Sequence, residues 1–464
     1  MPSGVALPDD LVVWIEEVAG GRVTHADRRP GGARKEAWFV DVSRPDDTVR
    51  ELFLRYDRTD PATTADPWTL HREATVYLAL QDTDVPVPRV LGVHPAHQAM
   101  LSVRLSGDNW FSRIADEQAR VHIARDFITK LAALHRLRPA DLDLPAFPDP
   151  TTVADAVRHE LDELDAILEQ RGGPVDPALA FTLGWLRRNI PPYDGPVVLV
   201  QGDTGPGNFM YDREHVVAIV DWELAHLGDP MDDIAWLSLR ATQEPFPDFP
   251  ARLREYEALS GYEIDESRVR YYQVMAEAKL QVMVHRGSGT ESGEHRDRDG
   301  GGADIGNRFI YGVLHRRLWF EALAAAVGLE LTPAEPDAPG SPAEHDWLYG
   351  AVLDQLRDVI VPRLTDPLAL VRAKGVARIV KYLAQVNAHG QFYDSCELDD
   401  LADLLGERPA SKSAGRIAAA SAAREGKLTD EQYLCYLWRR VARETELARP
   451  AMGALADRHW PELR

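Results

Sequence analysis

LVQGDTGPGNFMY (Leu199–Tyr211) starts as an apolar, strand-like run and breaks into a polar loop. The chain then returns to an apolar run that ends in IVDWE (Ile219–Glu223). A turn alone asks only for Gly, Pro or Asn. It does not ask for an acid at its start (Asp203), an amide five positions on (Asn208) and a second acid at the end of the next strand (Asp221). If the two flanking strands form a hairpin, these three side chains converge on one point.

A carboxylate able to accept a hydroxyl proton, beside an amide oxygen and a carboxylate able to hold Mg²⁺, is the minimal equipment for phosphoryl transfer. Mg²⁺ takes few protein ligands and keeps its other positions for water and phosphate oxygens. Protein kinases use the spacing Asp-x-x-x-x-Asn followed by a later metal-binding Asp, and GDTGPGN with VDWE has that spacing. The remaining parts of such a site have candidates. LFLRY offers Arg55 as a cation on a third strand, and HREATVYL offers Glu73 as its helix partner. RPGGARKEAWFV offers Gly31, Gly32, Ala33 and Arg34 as a turn whose backbone N–H groups could cradle phosphate oxygens. Glu223 is a candidate support for the metal loop, while Asp229 and Asp232 of GDPMDD are expected to cap and brace.

Composition sets limits. The 464 residues are 45% hydrophobic and carry a formal net charge of −22. That excess of acid argues against a nucleic-acid partner or an anionic membrane surface. It leaves room for a locally basic pocket. Cys396 and Cys435 are the only cysteines, too few for a disulfide framework or a zinc site, which points to a reducing compartment. The start of the chain has no basic segment, Asp9 and Asp10 interrupt its apolar stretch, and no apolar run reaches the ~18 residues of a membrane span. A soluble cytoplasmic protein is expected.

The pattern along the chain divides it. An amphipathic helix at 8–20 precedes an antiparallel meander over 21–56, a helix at LHREATVYLALQ and a strand at 99–105. Residues 1–105 are therefore expected to form a small strand-rich lobe and 106–330 a mainly helical one. Within the latter, 287–302 is glycine-rich and charged and is expected to be a mobile loop. The Pro/Ala/Glu-rich stretch 331–345 reads as a linker. Helical periodicity from Leu348 onward makes 346–464 an all-helical unit.

Taken together, VLVQGDTGPGNFMYD…VAIVDWELAHLGDPMDDIAWL, PVPRVLG and LAALHRL resemble the aminoglycoside phosphotransferase/choline kinase-like family. The likeness covers about residues 15–330 and is greatest to the branch associated with acyl-CoA dehydrogenases. It implies an α+β, two-lobed protein-kinase-like fold: a small antiparallel-sheet N-lobe and a mainly helical C-lobe, here with an all-α C-terminal domain appended. It further implies that Asp203 is the catalytic base, that Asn208 and Asp221 bind Mg²⁺, and that ATP lies between the lobes with adenine near the backbone of Arg104 and Leu105. Gln201 stands where the family usually has His, and Arg55 where Lys is common. The activity implied is ATP-dependent phosphorylation of a small-molecule hydroxyl, with a hydroxyacyl-CoA favoured. An antibiotic phosphotransferase acting on an aminoglycoside or macrolide is the alternative, and a catalytically weak nucleotide-binding regulator a further one. His285, Arg286 and Arg308 flank the glycine-rich loop as candidate acceptor-binding residues, and the C-terminal helices are candidates for homodimer or partner-enzyme contacts.

Overall fold

Period-two burial builds the N-terminal sheet. In a computed structural model, which describes residues 7–29, 35–59, 67–213, 215–287, 305–331 and 345–464, β2 (Glu36–Ser43) buries every other residue. It lies between β1 (Arg22–Arg29) and β3 (Val49–Asp57), and β3 pairs onward with β5 (Gln98–Val103), which carries β4 (Val90–Val93) at the edge. All four pairings are antiparallel. Trp38, Val40, Leu52, Leu54 and Leu101 share a core with Leu11 and Ile15 of α1 (Asp9–Ala19). Arg55 follows Leu54 and so faces away from α1. On that second face lies α2 (Leu70–Leu80), whose N-cap Thr69 accepts a hydrogen bond from the Arg72 amide at 3.1 Å. The first turn of α2 buries Glu73 completely.

The helical lobe runs through α3 (Glu117–Arg136), α4 (Val153–Arg171) and α5 (Pro177–Arg188), then four short strands. These are β6 (Val198–Val200), β7 (Phe209–Asp212), β8 (His215–Ile219) and β9 (His226–Gly228). Their pairing corrects the hairpin expected from sequence. β6 pairs with β9, and the hairpin is β7 with β8. Asn208 nonetheless meets the end of β8, because the Val220 amide donates to its carbonyl at 2.9 Å. α6 (Pro230–Gln243), α7 (Phe249–Ser260), α8 (Glu266–Gly287) and α9 (Ile305–Val327) complete the lobe. The expected glycine-rich loop and most of the linker lie outside the described residues.

α10 (Asp346–Asp354), α11 (Pro367–Leu405), α12 (Lys412–Arg424) and α13 (Asp430–Met452) follow. Their Leu401, Ala419, Tyr433 and Leu437 belong to the same core as Phe181 and Trp185 of α5. Tyr433 meets Phe181 edge-on at 4.9 Å. Arg317 of α9 donates to the carbonyls of Leu455, Ala456 and Arg458. α9 and α11 approach so closely at Gly306 that a Cβ there would stand 2.4 Å from the Gly375 Cα. α10 buries none of its residues, and Trp347, Leu348, Val352, Val371, Val376 and Leu383 are exposed. The whole is a two-lobed, kinase-like α+β fold with a helical C-terminal region. Among the described residues, no helix is long and apolar enough to cross a membrane.

Candidate active site

β6 stops at Val200, and the next residues are pinned to the first turn of α6. Asp233, fully buried, accepts from the amides of Gln201 and Gly202, each at 2.9 Å, and from the Thr204 hydroxyl. His135 Nε2 stands 2.9 Å from the same carboxylate, with its Nδ1 2.6 Å from Tyr256 Oη. Burial would raise the pKa of Asp233, but His135, Thr204 and the Gln201 amide outweigh it and hold the group below its ordinary value. Gln201 Nε2 donates to the Val220 carbonyl at 2.8 Å, tying this loop to the residue before Asp221.

Asp203 is gripped on both oxygens. Arg240 Nε donates to Oδ1 at 2.8 Å, and Arg240 Nη2 donates to Oδ2. Asn208 Nδ2 donates to Oδ2 and to the Asp203 carbonyl, each at 2.7 Å. The glycines of the loop admit Arg240. Gly205 has φ +135°, and a Cβ there would lie 2.8 Å from the Arg240 Cβ. Sequence reasoning missed Arg240, since it lies 37 positions downstream on a helix. The one signal was the glycines that follow Asp203, Gly205 and Gly207, which leave space for a side chain from elsewhere.

Asp221 has φ +63°, a left-handed conformation rare outside glycine, and its amide donates to Tyr77 Oη at 3.1 Å. Its carboxylate is 3.2 Å from Arg55 Nη1, which is also 3.4 Å from Glu73 Oε1. The expected Arg55–Glu73 pair is therefore formed, but Glu73 is shared. Lys35, 5% exposed, places Nζ 3.1 Å from Glu73 and 2.8 Å from Glu223. An unbroken line of charges runs Glu223–Lys35–Glu73–Arg55–Asp221. Lys35 was not singled out from sequence, because a lysine beside a glycine turn reads as surface. Burial works against the charge on Arg55, yet Glu73 and Asp221 raise its pKa. For Asp221, burial dominates over Arg55, and with Glu223, Glu73 and Asp203 nearby its pKa is pushed up to about 6.

The other sequence candidates are placed as follows. The Arg104 amide donates to the Glu51 carbonyl at 3.1 Å, and its guanidinium donates to Asp41 and Glu51 over the Phe39 ring. Leu105 follows, partly buried. His285 is in the last turn of α8, and Arg308 is exposed in the first turn of α9. Gly31, Gly32, Ala33, Arg34 and the Arg286 side chain lie outside the described residues. On α9, His315 faces inward instead, 3.3 Å from Gln243 and 3.1 Å from Glu277, while Arg316 pairs with Glu444 of α13. Asp229 caps α6 through the Met231 amide at 2.9 Å.

A family model for the phosphotransferase enzyme family matches residues 26–272, more than half of the chain. The chain belongs to that family. The chain is accordingly called a phosphotransferase. It is 40% identical over 65 residues to acyl-CoA dehydrogenase family member 11 of Rattus norvegicus, covering 14% of this chain and 8% of the relative. To the Pongo abelii protein of that name it is 35% identical over 182 residues, 37% of this chain and 23% of the relative. It spans less than a quarter of the length of either. Among solved structures it is similar in fold to a macrolide 2′-phosphotransferase from Brachybacterium faecium (20% identity, TM-score 0.42, 60% of this chain and 96% of that one). It is also similar to APH(2″)-IIa in its streptomycin–ATP complex (15% identity, TM-score 0.44, 61% and 95%).

The residues present fit Mg²⁺. Asn208 spends its Nδ2 on Asp203, which leaves its Oδ1 to act as a hard oxygen donor, and its backbone carbonyl accepts from the Val220 amide next to Asp221, the second candidate oxygen donor. The four carboxylates of Asp203, Glu73, Asp221 and Glu223 face three cations, Arg240, Arg55 and Lys35, which leaves one negative charge for a metal to meet. A second cluster, Glu160, His226 and Asp232, has metal-like spacing. There the Lys279 ammonium stands 2.6 Å from Glu160 and 3.5 Å from Asp232, so the charge is already balanced. With Asp221 as a ligand, which would have to be ionised to bind metal, Mg²⁺ affinity would be flat above the raised pKa of about 6 and weaken below it. The loss should approach about tenfold per pH unit. Mg²⁺ titration of the nucleotide-free protein by calorimetry at pH 5 and pH 7.5 checks this, and equal affinities would contradict it.

Proposed function

We propose that this phosphotransferase moves the γ-phosphoryl group of ATP to a hydroxyl of a small metabolite, with hydroxyacyl-CoA thioesters as its acceptors. The observation that carries the reading is Asp203, aligned on both oxygens by Arg240 and Asn208, within electrostatic reach of Asp221 and, through it, of the Lys35–Glu73–Arg55 cluster. Asp203 accepts a hydrogen bond from the acceptor hydroxyl, whose oxygen attacks the γ-phosphorus. The bond from the γ-phosphorus to the β–γ bridging oxygen breaks, ADP leaves, and the hydroxyl proton ends on Asp203. Asn208 and Asp221 would hold Mg²⁺, which would supply charge neutralisation to the phosphates. Arg55 and Lys35 add cationic charge on the nucleotide side, Gln201 and Glu223 support the two loops, and the backbone near Arg104 and Leu105 faces adenine. Positioning and electrostatics carry most of such a reaction. The acyl-CoA assignment is supported by the relatives named as acyl-CoA dehydrogenase family members. His285, Arg286 and Arg308 are its proposed anion-binding side chains.

The test is ADP release with Mg–ATP against separate panels of hydroxyacyl-CoAs, aminoglycosides, macrolides and simple alcohols. Turnover is expected with the first panel. Turnover with antibiotics alone would sink the acceptor assignment. No turnover above an Asp203→Ala control with any panel, alongside intact nucleotide binding, would favour the regulator reading. A local variant probes the same geometry. Gly205→Ala strains a positive φ and pushes on Arg240. A misplacement of this kind should lower kcat about 10²-fold while the Mg–ATP thermal shift persists, and wild-type kcat would count against the role given to this loop.

A further inference from the structure

Arg240 is placed for more than aligning a carboxylate. It sits seven residues beyond Asp233 on α6, so both project from one face of the helix. Leu237, between them, also lines the space beside Gly205. The face that pins the start of the loop therefore also delivers a guanidinium to its centre. Only Nε and Nη2 of that guanidinium are used by Asp203. Nη1 carries two further N–H donors, and it lies 3.8 Å from where a Cβ on Gly207 would stand. The side chain is 26% exposed, so it is not sealed away from solvent. Burial opposes its charge, while Asp203 first, then Asp221 and Glu223, hold it protonated.

We infer that Arg240 contacts the phosphoryl group in flight through Nη1, as an arginine finger supplied by the chain's own α6. The inference rests on the phosphotransfer reading above. A planar guanidinium can hold a carboxylate along one edge and offer the other to a phosphoryl oxygen. Negative charge on the equatorial oxygens of the transferring group is then met as it develops. Asp203 takes the hydroxyl proton, the bridging oxygen keeps the electron pair of the broken bond on ADP, and Arg240 stays protonated throughout. The glycines of GDTGPGN acquire a reason, since they open the floor of the loop to a cation from another element.

The test compares wild type, Arg240→Gln and Arg240→Lys by thermal shift with Mg–ATP, and with Mg–ADP plus aluminium fluoride as the mimic of the transferring group. Steady-state kinetics are measured alongside. Arg240→Gln should keep the Mg–ATP shift and lose the added shift from aluminium fluoride. Its kcat should fall about 10³-fold or more, with the KM for ATP within about threefold. In an Asp203→Asn background, Arg240→Gln should lower kcat further. If Arg240 only aligns Asp203, the aluminium fluoride shift survives and the second substitution adds nothing, which overturns the inference while the phosphotransfer reading stands. If wild type shows neither a Mg–ATP shift nor turnover, that reading falls and takes the inference with it. Should Arg240→Gln fail to fold, Arg240→Lys reads the same two shifts. It keeps the charge but not the fork, so loss of the aluminium fluoride shift alone is its supporting result and retention of a full shift the opposing one.

Discussion

Asp203→Ala is expected to lower kcat by about 10²–10⁴-fold, the range for removing a positioned general base, while leaving ATP binding intact. The second half of this expectation follows from charge. Asp203 holds the Arg240 guanidinium by two hydrogen bonds. Removing the acid deletes a negative charge near the place of the γ-phosphate and leaves a cation without its partner there. ATP should therefore bind as well as before or more tightly, and KM for ATP should not rise. Asp203→Asn separates alignment from proton acceptance, since the amide oxygen can still accept from Arg240 but cannot take the hydroxyl proton. Both variants should be slow, with the Asn variant nearer to wild type in thermal stability. The measurement is kcat and KM for ATP, together with the Mg–ATP thermal shift of each variant. A variant turning over at near wild-type rate would remove Asp203 from the chemistry. A variant that lost nucleotide binding along with turnover would place it in binding instead.

How far the sequence carries depends on whether a residue acts through its neighbours in the chain or through the fold. Asp203 and Asn208 lie in one loop, and their five-residue spacing is a local geometry that the structure keeps. Asp221 is reached through the β7–β8 hairpin, also a short-range feature. Arg55 and Glu73 are farther apart, but strand alternation fixes the face of one and the first helical turn fixes the other. The pairing of β6 with β9 was not legible, because a three-residue strand carries almost no pattern and the nearest apolar run is the natural partner to assume. Arg240 and Lys35 escaped for a different reason. Each is ordinary in its own element, a basic residue toward the end of a helix and one beside a glycine turn. Their roles come from the docking of α6 against the Asp203 loop and from the packing of α2 on the sheet, which brings Glu73 to the residue just before β2. GDPMDD shows both cases side by side. The cap at Asp229 is readable from its place before Pro230, whereas the larger task of Asp233 depends on where the β6 loop passes.

That task sets the second large effect. Asp233→Asn should destabilise the protein by about 1–3 kcal/mol, the cost of leaving buried donors without their acceptor. The carboxylate accepts from two backbone amides, a hydroxyl and His135 with no exposure to water. An amide keeps one oxygen for these donors and turns its NH₂ toward another, leaving buried N–H groups facing each other. The pH dependence gives an independent check. The pKa of Asp233 is depressed in the fold below its ordinary 3.8, so its contribution is present above that value and is lost as acid carries the pH down through the folded pKa. Wild type should therefore lose stability more steeply than Asp233→Asn in that acid range, and the gap between them should narrow as pH falls. Urea unfolding at pH 7 and across the acid range reads both effects, with an unchanged m-value marking a change in stability rather than in compactness. The same substitution should slow turnover even under conditions where the protein is fully folded, because the Gln201–Thr204 segment that carries Asp203 loses its anchor. If stability fell but kcat at low temperature did not, Asp233 would brace the lobe without positioning Asp203, and the rigidity of that loop would have to come from Arg240 and Asn208 alone.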